Sequence, residues 1–344
     1  MTGIKKIISA LVVLFVMNFA LSATPACAGA NAGGAAAGHA RVAEAIKGAE
    51  QYLVKKMSAP QYDGMLEWAM LGLYADNKNV QSFSLKREAQ IARGVMIDAN
   101  KNTDYQRSIL GALAAGKNPD GYGGIKLLEK VWLSQTPRGK FADSINGQGD
   151  RLVNAHVWGI ISLYAAGREI ADADKALQWL VDHQNTDGGF SIDTNMEESD
   201  VDMTAMAVIA LACLGKDTSY PAVQKALAYL KEQQNDDGTF GAWGTSTTES
   251  CAQVIQALVM LGIDPAGAEW SKEGKNAVTG LLKYRLPNGS FSHGPERLPN
   301  DMATAQALIA LVDYSTGETV YTRLHQASKT QPFCLSGGKQ PGGK

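Results

Sequence analysis

Lys175-Ala176-Leu177-Gln178-Trp179-Leu180, followed by Gln184-Asn185-Thr186-Asp187-Gly188-Gly189-Phe190, returns further on as Lys225-Ala226-Leu227-Ala228-Tyr229-Leu230 with Gln234-Asn235-Asp236-Asp237-Gly238-Thr239-Phe240. The offset is 50 residues, a period that marks repeat architectures. Weaker copies stand at Val131-Trp132-Leu133-Ser134-Gln135 with Gly139-Lys140-Phe141, and at Leu281-Leu282-Lys283-Tyr284 with Asn288-Gly289-Ser290-Phe291. An alanine-rich apolar stretch follows each copy: Leu152–Gly167, Asp202–Gly215, Ser250–Gly262 and Met302–Tyr314. Most of these close on glycine in the helix-stop position. Two degenerate pairs come first, Arg41–Met57 with Met65–Ala75 and Leu85–Ala99 with Tyr105–Gly116.

Each unit is thus a pair of helices. The first of a pair is amphipathic and keeps a wet face, whereas the second is apolar nearly all round and needs burial on most sides. Six such pairs form an inner ring inside an outer one, so the expected fold is all-α, an (α/α)6 toroid over residues 41–325. An open solenoid would need polar capping repeats, which neither end shows clearly. The Asn/Asp-Gly segments between the helices are turns, with Phe tucked back against its repeat.

Composition agrees with a folded core, at 45% hydrophobic and 19% charged residues. The formal charge is −2, and no Lys/Arg-rich block gives a local field, so nucleic acid is not an expected partner. Lys5 and Lys6, the apolar run from Ile7 to about Leu21, and Ala26-Cys27-Ala28 have the order of a secretory signal peptide. Residues 1–28 are therefore read as a cleaved signal, 29–40 as a flexible linker and 326–344 as a disordered tail. The protein is expected to be exported, at the cell surface or beyond, with no transmembrane anchor after cleavage. Of the remaining cysteines, Cys213 and Cys251 fall at opposite ends of neighbouring parallel helices, too far apart for a disulfide. Cys334 lies in the tail and is the exposed thiol.

The repeated Gln…Asp-Gly-x-Phe blocks resemble the QW repeats of squalene cyclases and of the wider terpenoid-cyclase and protein-prenyltransferase α/α-toroid superfamily. The wording of Thr248-Glu249-Ser250-Cys251-Ala252-Gln253-Val254-Ile255-Gln256-Ala257-Leu258 is closest to exported bacterial proteins of the prenyltransferase/squalene oxidase repeat type. More distantly, the repeat is similar to the α domain of the corrinoid carriers intrinsic factor and transcobalamin. The resemblance implies a closed barrel with a cavity where the inner helices begin.

Aligning the inner helices on their closing glycines brings Asn154 and His156, then Asp200, Asp202 and Thr204, then Glu249, Cys251 and Gln253, then Asp301 and Thr304 to that end. Together they would form a polar, acidic rim over an apolar bore, the general form of a ligand site. Each acid or Thr alone is equally well a helix cap. Ligand binding at the mouth is the leading expectation, with a corrinoid as one candidate ligand, His156 as a side chain able to meet its metal, and a lid supplied by another chain. No resident metal is expected.

The alternative is a cyclase. Asp200-Val201-Asp202-Met203-Thr204-Ala205 resembles the D-x-D-D-T-A motif of class II terpene cyclases, which would make Asp202, beside Asp200, the proton donor. Met203 replaces the third aspartate, squalene cyclases use two α-barrel domains where this chain has one, and the aromatic residues lie on the first three inner helices; these features weigh against catalysis. Glu249-Ser250-Cys251 has the shape of a prenyltransferase zinc site but lacks the third ligand that zinc requires. A surface docking module without a ligand is the second alternative.

Overall fold

In the computed structural model, residues 28–330 are described, apart from 63, 65, 96 and 99. The described chain from Arg41 onward forms one compact unit. The signal-like segment and Cys334 lie outside the described residues. Residues 29–40, read as a linker, are helical instead: α1 runs Ala28–Met57, because a stretch of alanines favours helix despite its glycines.

Six inner helices form a closed ring. They are α2 (Leu66–Ala75), α4 (Asn102–Ala114), α6 (Val153–Ala165), α8 (Val201–Cys213), α10 (Thr248–Met260) and α12 (Asp301–Thr316). Each packs on the next, and α12 packs on α2. The outer ring is α1, α3 (Gln81–Ala92), α5 (Leu127–Leu133), α7 (Ala173–Asp182), α9 (Pro221–Glu232) and α11 (Ala277–Leu282). The expected helix at Leu85–Ala99 starts four residues earlier, at Gln81, and stops at Ala92. Gly94, with φ of +75°, turns the chain out of the helix.

The inner and outer patterns differ as their surroundings do. On α7, Ala176, Trp179 and Leu180 face the core, while Lys175 and Gln178 face water. On α8 every residue from Met203 to Leu211 is buried except Met206, and alanines at 205, 207 and 210 let neighbouring helices approach. Asp200 caps α8 by accepting the Met203 N–H at 2.7 Å.

The repeated glutamine and glycine bind one unit to the next. Gln184 donates both to Gly188 O within its own turn and to Ala222 O at the start of α9, each at 2.8 Å. Gly188 has φ +89°, and a Cβ there would lie 2.7 Å from the Lys225 carbonyl oxygen. The last turn closes the circle in the same way, with Gly289 seated against Gly48 of α1.

Antiparallel hairpins precede α10, α11 and α12: β1 (Gly241–Ala242) with β2 (Thr245–Ser246), β3 (Ser271–Lys272) with β4 (Lys275–Asn276), and β5 (Phe291–Ser292) with β6 (Pro299–Asn300).

A thirteenth helix, α13 (Val320–Thr330), lies against α6 and α2. It extends past the expected tail boundary at 326, since Val320, Tyr321 and Leu324 are buried and hold it in place. Arg323 donates to Ala75 O at 2.5 Å and His325 Nδ1 lies 2.6 Å from Tyr164 O, so α13 ties down the C-terminal ends of α2 and α6. It forms a floor, and the mouth is the opposite end, where the inner helices begin. No described helix is long and apolar enough to cross a membrane.

Candidate functional site at the mouth of the ring

Four inner-helix side chains share one task. The backbone N–H of Phe141 donates to His156 Nδ1 at 3.1 Å, that of Phe190 to Thr204 Oγ1 at 2.9 Å, that of Phe240 to Cys251 Sγ at 3.3 Å and that of Phe291 to Thr304 Oγ1 at 2.9 Å. Each fastens an incoming turn to its inner helix. His156, Thr204 and Thr304, expected on the rim, therefore point outward and are fully buried. Because His156 Nδ1 accepts a hydrogen bond, Nε2 carries the hydrogen and donates to Ala176 O at 2.9 Å. Burial lowers its pKa to about 3, so the ring is neutral. Both nitrogens are engaged, and His156 cannot meet a metal from the mouth. Cys251 is equally committed, its thiol pushed up to about 12 by burial, so the zinc-like spelling of residues 249–251 builds no thiolate ligand. Cys213 and Cys251 are both free.

Two residues before or after a fastening position, a helix has turned by about 200°. Those side chains face the axis. The position two before supplies the rim: Asn154, Asp202, Glu249 and Met302. The position two after supplies a second layer about one turn deeper, with Trp158, Met206, Gln253 and Gln306 from the last four inner helices, and Trp68 of α2 reaches this layer by its contact with Trp158.

Asp202 is largely enclosed, and its Oδ1 has no hydrogen-bond partner. Burial holds its carboxyl above the ordinary carboxylate range, against a hydrogen bond from Ser250. Asp200, one residue outside the helix, is pushed up to about 6, chiefly by burial, although it caps α8. Glu249 is raised by burial as well, and its Oε2 lies 2.9 Å from His293 Nδ1. His293 stands half in solvent on the connection before α12. The repeat alignment missed it because it belongs to a loop whose reach across to α10 no periodicity reveals. Asn154 Oδ1 is also buried without a partner.

Asp301 stands apart from this group. It accepts from Tyr52 Oη of α1 at 2.7 Å. Beside it a cleft of about 360 Å³ opens at the mouth, lined by Lys56, Tyr62, Trp68, Asp301, Met302 and Ala305. A larger hollow of about 700 Å³ on the outer wall, between the end of α1 and α3, shares Tyr62 with it but none of the rim acids.

Below the rim the bore is neither open nor uniformly apolar. Trp68 and Trp158 meet edge to face across it, with centroids 5.1 Å apart. Trp158 in turn meets the floor residue Tyr321 at 6.1 Å. On the other side Gln253 donates to Gln306 Oε1 at 2.8 Å. These two aromatic residues were visible in the sequence, but their meeting follows from ring closure. The arrangement offers a shielded acid above a bore with one aromatic wall and one amide wall.

Known proteins resemble this chain in parts. The drimenyl diphosphate synthase of Streptomyces showdoensis is 29% identical over 147 residues, which are 42% of this chain and 27% of that protein. The copalyl diphosphate synthase of Streptomyces anulatus is 34% identical over 86 residues, 25% of this chain and 15% of that protein. The chain therefore spans about a quarter or less of the length of these relatives. Among solved structures, the type II terpene cyclase MstE from Scytonema has the same fold, with a TM-score of 0.60 at 14% identity over 80% of this chain and 99% of that one. The profile of the prenyltransferase alpha-alpha toroid domain matches residues 108–259 and 245–331, the part that carries the fastening residues and rim acids. The chain is a member of the prenyltransferase α/α-toroid family.

Proposed function

We propose that the protein is an acid-initiated isoprenoid cyclase and that Asp202 is its proton donor. The observation that carries this reading is the enclosed Asp202 carboxyl at the mouth, with one oxygen unpartnered and its acid form favoured by burial. Donation to a carbon–carbon double bond leaves Asp202 as carboxylate and a cation on the neighbouring carbon. Attack by a second double bond of the same chain closes a ring, and loss of a proton ends the sequence. Trp68 and Trp158 offer aromatic faces to the cationic stages. The Glu249–His293 pair, open to solvent on its histidine side, is placed to return a proton to Asp202.

The names of the relatives support this reading, and so does the fold shared with a type II terpene cyclase over 99% of that chain. Met203, where a third acid would stand, favours binding without turnover as the second reading. A corrinoid ligand keeps no support from His156, which is buried. Export by residues 1–28 belongs to the same proposal, and sequencing the N-terminus of secreted protein tests it.

The test of function is incubation of wild type and Asp202→Asn with squalene and with C15 and C20 polyprenyl alcohols and diphosphates, followed by mass spectrometry of extracted products. Cyclic product from wild type alone is expected. Acyclic recovery in every wild-type sample, or equal product from the variant, would overturn the proposal.

A further inference from the structure

The hollow of about 700 Å³ on the outer wall, between the end of α1 and α3, has the size of a site for a small organic ligand. Its inner side holds Gln90, which is 5% exposed. Arg87, paired with Glu67, donates to Gln90 Oε1 at 3.4 Å. That bond turns the amide oxygen inward and sets Nε2 towards the hollow, where it keeps contact with solvent and donates to no described residue. A nearly buried amide oriented in this way offers its N–H groups to whatever fills the hollow.

Two cations line the same hollow. Lys86 Nζ donates to Ala59 O at 2.9 Å and to Met57 O at 3.4 Å, carbonyls at the end of α1, and has a third N–H left. It lies 5.5 Å from the centre of the Tyr62 ring. Arg93, seven residues on, stands on the same face of α3 and is exposed. Neither cation has a carboxylate partner among the described residues, and none of the described residues lining the hollow is acidic. The chain as a whole has a formal charge of −2, so the positive potential here is local. Phe83, Tyr62 and Val95 add apolar surface. An inorganic anion would meet the donors but leave that surface wet, and a neutral apolar molecule would cover the surface but leave the cations unanswered. A ligand that carries both parts satisfies both.

We infer that this outer hollow is a binding site for a small organic anion: a carboxylate, sulfonate or phosphate carried on an aromatic or apolar body. The anionic group lies between Lys86, Arg93 and Gln90 Nε2, and the body lies against Phe83, Tyr62 and Val95. The site contains none of the rim acids and shares only Tyr62 with the cleft at the mouth. It stands or falls independently of the role given to Asp202.

The test is a fluorescence titration of the purified full chain with anilinonaphthalene sulfonate, an aromatic anion, beside its neutral analogue phenylnaphthylamine. Wild type should bind the sulfonate about ten-fold tighter, the effect of one charge-assisted hydrogen bond added to a shared body. Arg93→Gln, a change at an exposed position, should weaken the sulfonate about five-fold and leave the neutral probe within about two-fold. Lys86→Met should act in the same direction, and Asp202→Asn should alter neither probe. Phenyl phosphate should displace the sulfonate at about one-fifth the concentration of inorganic phosphate, because its ring also covers apolar surface. Equal affinity for the two probes, sulfonate binding unmoved by Arg93→Gln, equal displacement by the two phosphates, or no binding of the sulfonate would each overturn the inference.

Discussion

His156 in α6 and Thr204 in α8 are the same device in consecutive repeats: each side chain accepts the backbone N–H of the phenylalanine that ends the preceding turn, at 3.1 and 2.9 Å. Chemically unlike residues can share the position because the requirement is one acceptor aimed outward from an inner helix. Cys251 meets it with sulfur. The equivalence separates structure from function along each inner helix, since the outward position fastens and the positions two residues away face the axis.

His156→Ala removes two buried hydrogen bonds and leaves a cavity, which should cost about 3–4 kcal/mol in urea unfolding. His156→Thr restores the acceptor found in the other repeats and should recover about 1 kcal/mol of that loss. Ligand affinity of either folded variant should stay within about two-fold of wild type, a change too small to register as one lost contact. A large loss of affinity at unchanged stability would return His156 to the site.

His156 and Asp200 should impose opposite pH slopes on stability. The imidazole has a folded pKa near 3, below its ordinary value of 6.5, so the unfolded chain binds the extra proton and stability is lost as pH falls from 6.5 towards 3. The Asp200 carboxyl is raised from 3.8 to about 6, so its contribution is complete below 3.8 and disappears as pH rises through 6. A tenfold difference in proton affinity between the folded and unfolded chain corresponds to about 1.4 kcal/mol. Urea melts across pH 4–7 should therefore show a falling slope in His156→Thr and a rising one in Asp200→Asn, relative to wild type. Identical slopes in all three would show that folding perturbs neither group.

The proposed proton transfer requires Asp202 in its acid form. Because burial raises its pKa, activity should be highest in mild acid and fall as pH rises through that raised value. Glu249→Gln, which breaks the link to His293, should slow multiple turnover more than a single turnover. Equal effects on both would remove Glu249 and His293 from proton return.

Gly188 and Gly215 both have positive φ, +89° and +76°, but only Gly188 has a neighbour where a Cβ would go. Gly215→Ala should cost about 1–2 kcal/mol, the backbone penalty alone. Gly188→Ala should cost about 3 kcal/mol or more, because it also drives the turn off α9. Similar midpoints for the two variants would refute the role given to the turn glycine.

Tyr321 is fully buried under Trp158. Replacing it with Ala should cost about 3–5 kcal/mol and open the lower bore, whereas Phe should be close to neutral. Unchanged stability in Tyr321→Ala would mean that α13 does not support the ring.

Much of the site was legible because the repeat supplies its own alignment: once the closing glycines are matched, Asp202, Glu249 and Asn154 fall at one level without any coordinates. The facing of those levels was not legible. Alignment puts His156, Thr204 and Thr304 on the rim because it fixes the level of a residue and not its facing, whereas residues two apart in a first turn face opposite sides. His293 and α13 escaped notice because neither belongs to the periodic part of any repeat.

The sequence by itself determined the all-α repeat, its two kinds of helix and the ring they form, since amphipathic and all-round apolar patterns at a fixed period have few ways to be buried together. Only the tertiary structure decided what the ring encloses. Trp68 and Trp158 lie 90 residues apart in the chain but touch across the bore, and Gln253 meets Gln306 only because α10 and α12 are neighbours in the closed ring. Local pattern fixes which faces seek burial; closure of the ring fixes which side chains meet there and which polar groups are left for a ligand.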